Sequence, residues 1–85
     1  MKISVETKFD IGEIVYIADF YEEFIPRRKP VLVRNFDIRF YGNQTFVTYL
    51  VIEDGITERV SEEWMFSTYE ECVEWCTKKN NGDRG

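Results

Sequence analysis

Eighty-five residues leave room for one domain, and a domain of this size buries only about 60–65% of its unfolded-chain surface. Hydrophobic residues at 44% and aromatic residues at 16% exclude a disordered segment, while a formal net charge of −5 works against non-specific attachment to phosphate backbones and anionic lipid. No apolar run is long enough to span a membrane and MKISVETKFD lacks the apolar centre of a signal peptide, so a cytoplasmic protein is expected.

The first structural signal is Gly12, a turn residue after Asp10 and Ile11, and Glu13 to Ala18 (EIVYIA) reads as a strand with Val15 and Ile17 on one face. Asp19 to Pro30 (DFYEEFIPRRKP) follows as a loop that mixes Phe20, Tyr21 and Phe24 with two glutamates and the cations Arg27, Arg28 and Lys29. Folded back on itself, it would set Glu22 or Glu23 opposite Arg27 or Arg28 and tuck an aromatic ring into the mouth of the domain. Val31 to Tyr41 (VLVRNFDIRFY) is predicted as a half-buried strand in which Phe36, Ile38 and Phe40 alternate with polar residues. Its opening residues are apolar on both parities, which calls for a bulge near Arg34.

Gly42-Asn43 then reads as a tight hairpin turn into Thr45 to Ile52, and Asp54-Gly55 as a type I′ turn into Ile56 to Val60. Three short strands in one meander must curl to cover their own apolar face, which points to a small barrel. Ser67 or Thr68 can cap a helix with Glu70 or Glu71 three residues on, and Tyr69, Cys72, Val73 and Cys76 share one helical face. That helix is expected to stop at Asn80-Asn81-Gly82.

The segment KFDIGEIVYI, with Asp10, Gly12 and Val15, resembles the opening of small SH3-like barrel proteins of bacteria and bacteriophages. VSEEWMFSTYEEC resembles their close, in which a short last strand passes through Met65 and Phe66 into a capped helix with small inner residues. The resemblance implies a mainly β, SH3-like barrel of four to five antiparallel strands with one C-terminal helix, spanning residues 1–79 with a frayed tail over 80–85, and a phage-derived origin. It also puts Asp19 to Pro30 where such barrels carry their long RT loop, a candidate partner surface. The motif series of SH3 domains that bind PxxP peptides is absent.

Few residues advertise chemistry. The chain has no histidine, and its five glycines form no phosphate-cradling loop. Cys72 and Cys76 fit helix packing better than a zinc half-site lacking its other ligands. The carboxylate pairs fit a solvated face. No enzyme, cofactor or metal is therefore expected. The residues best suited to partner binding are Tyr21, Phe24, Arg27, Arg28 and Trp64, since aromatic and arginine side chains dominate interface energetics. A protein partner is favoured. The alternative is a nucleic acid held by the Arg27/Arg28/Lys29 strip with Arg34 and Arg39, against which the overall charge acts. Strand edges leave a homo-oligomer open.

Overall fold

The computed structural model describes residues 6–82. They form β1 (Ile14–Tyr21), β2 (Glu23–Pro26), β3 (Val31–Tyr41), β4 (Gln44–Glu53), β5 (Ile56–Ser61), a 3-10 turn (Glu62–Trp64), β6 (Met65–Phe66) and α1 (Tyr69–Gly82). The fold is mostly β with one C-terminal helix, and every strand pairing is antiparallel. Six strands are present among the described residues, where four to five are expected from the sequence. β2 arises inside the stretch read as a loop, because Glu22 takes a left-handed conformation (φ 63°) and lets Glu23–Pro26 pair back onto β1.

β1 organises the sheet. The carbonyl of Glu13 accepts from Val33 N–H and that of Ile17 from Arg27 N–H. Carbonyls two or four residues apart point to the same edge of a strand, so β2 and the start of β3 follow one another along that edge. The other edge is left for β6, through Tyr16↔Phe66 and Ile17↔Met65. β3, β4 and β5 continue as a meander that curls into a half-barrel. Asp54 and Gly55 both take positive φ (50° and 80°), the backbone of a type I′ turn.

Alternation along β1 divides the interior in two. Val15 and Ile17 point into the half-barrel with Phe9, Val31, Val33, Val47, Tyr49, Val51, Val60 and Met65, while Ala18 faces α1 with Phe66, Cys72 and Cys76. The small side chains at Ala18, Cys72 and Cys76 let the helix approach the sheet closely, and burial pushes the Cys72 thiol up to about 12. Thr68 caps α1, its hydroxyl accepting from Glu71 N–H at 3.2 Å. The helix continues to Gly82, because the carboxamide of Asn80 is fastened to the backbone of Phe24 by bonds of 2.7 and 2.9 Å. It is not long and apolar enough to cross a membrane.

The bulge expected near Arg34 is present as a register shift between Val33 and Asn35. It switches the inward parity of β3 from odd to even, so Val31 and Val33 before it share a face with Phe36, Ile38 and Phe40 after it. Half-burial of that second trio does not follow through the strand: Phe36 is 37% and Phe40 53% exposed. β1 pairs with β3 only as far as Leu32, and β5 with β4 only from Thr48 onward, so the last part of β3 and the first part of β4 run on as a two-stranded arm. The radius of gyration, 14.0 Å, exceeds the roughly 12 Å of a compact chain this long.

Candidate interaction surface

Asp19 to Pro30 forms a hairpin rather than a loop, and its cross-strand register decides where each side chain goes. Phe20 pairs with Phe24 on the face turned toward the helix, their rings 4.9 Å apart. Phe24 meets Trp75 at 4.8 Å and Trp64 at 5.8 Å, both edge to face. Two of the expected partner-binding residues, Phe24 and Trp64, are thereby brought together. They are half-buried in an aromatic cluster that docks the hairpin on the barrel.

Arg27 is the centre of the other face. Its guanidinium grips Asp19 through Nε to Oδ2 at 2.9 Å and Nη2 to Oδ1 at 2.7 Å, the bidentate arrangement that suits arginine best. Nη1 also donates to Glu58 Oε1 at 3.0 Å and to Glu53 Oε1 at 3.3 Å. The Asp19 hydrogen bond is the main cause of a guanidinium pKa raised above its already high value, against the opposing effect of burial. The partners anticipated for it were Glu22 or Glu23, which instead sit exposed at or beside the hairpin tip. Arg27 therefore ties the hairpin across to β4 and β5, at the side of the half-barrel where β5 has no further strand partner among the described residues.

The type I′ turn explains why the acids lie there. Its register, Glu53↔Ile56 and Val51↔Glu58, puts Glu53 and Glu58 on the same face as the core residues Val51 and Val60, one step beyond the core's rim. A depression of about 360 Å³ opens at this corner, lined by Asp19, Tyr21, Arg27, Glu53, Ile56 and Glu58. Tyr21 and Ile56 flank it, 69% and 71% exposed. A groove of about 250 Å³ runs on between β1 and β5, with Trp64 and Glu63 in its wall. Of the remaining candidates Arg28 is exposed, and Lys29 stands 3.8 Å from Asp54.

Asp19, Glu58 and Ile56 are not among the candidates the sequence offers, and Glu53 reads there as part of a solvated acidic face, although the Asp-Gly turn holds the signal for two of them: with its register known, Glu53 and Glu58 fall on core-facing parity. Glu62 also departs from the solvated-acid expectation. It accepts from the Tyr49 hydroxyl at 2.6 Å and from Lys8 N–H at 2.9 Å, while Phe9 N–H donates to the Tyr49 oxygen at 3.1 Å. This network fastens the segment before β1 to the barrel wall. Burial first, then the Glu62 bond, pushes Tyr49 up to about 12.

A concavity of about 580 Å³ lies between the hairpin tip and the end of α1. Its wall carries the Asn80 and Phe24 polar groups already bonded to each other, whereas the Arg27 corner keeps an excess of carboxylate between exposed apolar side chains, which makes it the better candidate for recognition. Comparisons of the chain with protein-family models, with curated proteins and with solved structures give no match.

Proposed function

We propose that the chain is a non-enzymatic interaction module on an SH3-like barrel, and that it binds a basic segment of a protein partner at the Arg27 corner. Support for the barrel type comes from the element order: first strand, long hairpin, three-stranded meander, 3-10 turn and a short last strand returned to the first. The observation that carries the binding reading is the corner itself. Three carboxylates surround one guanidinium, a balance of 1 − 3 = −2, between two apolar side chains that are largely exposed. Such a site would accept a lysine or arginine against Glu53 Oε2, the one carboxylate oxygen of the three with no bond to Arg27, helped by the net negative charge of the cluster, and an apolar neighbour against Tyr21 and Ile56. A cytoplasmic setting belongs to the same proposal, and the two free thiols are in keeping with it.

The nucleic-acid alternative gains no specific support. Arg27 is held by carboxylates, Lys29 faces Asp54 and Arg39 faces Asp37, so three of the five cations named for that strip stand against acids of the same chain.

Titration of the ¹⁵N-labelled protein with short lysine- and arginine-rich peptides tests the proposal. Backbone signals of Asp19, Tyr21, Ile56 and Glu58 are expected to move, and Tyr21→Ala/Ile56→Ala to weaken binding roughly ten-fold or more. Equal binding of an acidic peptide of the same length, or indifference to the double substitution, overturns it. Binding of a single-stranded oligonucleotide at low salt in place of the peptides would favour the alternative.

A further inference from the structure

The second half of β3 is an open strand edge. β4 covers one side of it, but no strand among the described residues pairs with the other side beyond the Val33–Glu13 bond. The ladder shows which groups are on offer. The two-residue turn joins Tyr41 to Gln44, so Tyr41, Arg39, Asp37 and Asn35 bond toward β4, and the peptide groups of Phe36, Ile38 and Phe40 point away from it. One of these donors, Phe36 N–H, is held by the side chain of its neighbour Asn35 at 2.9 Å. A two-stranded arm with exposed aromatic residues and open edges is marginal alone and is a template for another strand.

The residues on that edge read Phe36-Asp37-Ile38-Arg39-Phe40, a sequence whose charges are complementary about its own centre. We propose that two copies of the chain pair antiparallel through this edge, about a two-fold axis at Ile38, to make one continuous sheet. In that register Phe36 meets Phe40 of the second copy, Ile38 meets Ile38, and Asp37 meets Arg39, each contact occurring twice except the one on the axis. The outward peptide groups of Phe36, Ile38 and Phe40 form the narrow hydrogen-bonded pairs. Asp37 and Arg39 fall on the alternate pairs, where side chains approach most closely.

Neighbouring registers are excluded by charge. An outward peptide group can pair only with another, so the register moves in steps of two. One step sets Asp37 against Asp37, and the step the other way sets Arg39 against Arg39. Length agrees as well: the open edge begins after Val33, where β1 ends its contact, and closes at Gly42, and Ile38 is midway between Arg34 and Gly42. Arg39 and Asp37 now bond within one strand at 3.1 Å, about half exposed, and would exchange these partners between copies. The inference does not depend on the Arg27 corner, which lies on other strands.

Sedimentation equilibrium across a hundred-fold range of concentration tests it. The native chain is expected to dimerise. Asp37→Arg and Arg39→Asp, made singly, put like charges in register and should each raise the dimer dissociation constant roughly ten-fold or more. The double swap Asp37→Arg/Arg39→Asp restores complementarity and should restore the dimer. Phe40→Pro removes a donor that makes no bond to β4, so circular dichroism should stay native while the dimer is lost. A native chain that stays monomeric throughout, or a dimer indifferent to both single reversals, overturns the proposal. Failure of a peptide to bind the Arg27 corner would leave these results unchanged.

Discussion

Val33 and Phe40 lie on the same face of the same strand, yet one is fully buried and the other more than half exposed. Both stand in an apolar alternation, and the bulge at Arg34 keeps them on one side. What differs is the company of neighbouring elements. Around Val33 the sheet curls and β1, β4 and β6 supply Val15, Ile17, Val51 and Met65; around Phe40 there is β4 alone. Alternation in a sequence therefore reports which way a side chain points, and says nothing of whether another element arrives to cover it.

The sharpest way to break this comparison is to truncate one aromatic residue in each region. Tyr49→Ala opens a cavity in the half-barrel and frees Phe9 N–H and Glu62 from a common partner, and should cost about 3–5 kcal/mol. Phe40→Ala should cost less than about 1 kcal/mol when measured dilute, because its ring has little to lose. Urea denaturation of the two variants gives the answer directly. Similar losses would mean that the arm is covered in solution even at low concentration.

Two arginines sharpen the same contrast. Arg27, with a side chain only 20% exposed, holds three carboxylates from β1, β4 and β5, and Arg27→Ala leaves them facing one another. A loss of roughly 2 kcal/mol is expected, between the worth of charged hydrogen bonds and that of surface pairs. Arg39→Ala breaks only exposed contacts on the arm, to Tyr41 and Asp37, and should leave dilute stability almost unchanged. Arg27→Lys keeps the charge but loses the fork, and should recover less than half of the difference.

Alkaline pH bears on the barrel and its helix. Cys72 is raised from 9.0 to about 12, first by burial and then by Cys76, and Tyr49 from 10.0 to about 12. A group whose folded pKa is raised favours the folded state fully below its unfolded value, and that advantage is lost as pH rises toward the folded one. Stability should thus fall progressively from about pH 9 to about pH 12, visible as a declining denaturation midpoint. Tyr49→Phe should flatten part of that decline. Rapid labelling of both thiols in the native protein at about pH 8 would contradict the burial on which the decline rests.

The distribution of legible and illegible features has a physical cause. Turns, the bulge, the helix cap and the buried cysteines were readable because each depends on residues close in sequence: Asp54-Gly55 sets its own φ values, and Thr68 bonds to Glu71. The Asp19 to Pro30 stretch was not, since nothing local announces that Glu22 turns left-handed or that Asn80, fifty-six residues on, will hold Phe24. For the same reason Arg27 was anticipated as a binding residue while its three carboxylates were missed. They are brought to it by strand register, which is a long-range property.

Glu22 offers the finest comparison, because the two hairpin tips solve one problem with different residues. Gly42 takes φ 60° at the arm's turn at no steric cost, whereas Glu22 takes φ 63° with a side chain attached. Nothing crowds a Cβ at Gly42, so its strain on substitution would be purely conformational. Gly42→Ala should therefore cost about 1 kcal/mol. Glu22→Gly should relieve a similar strain, offset in part by the greater freedom that glycine gives the unfolded chain, for a net gain below about 1 kcal/mol. If Glu22→Gly instead lowers stability, the Glu22 side chain contributes something that outweighs its backbone strain, and the hairpin tip would then be a place where strain is retained for use.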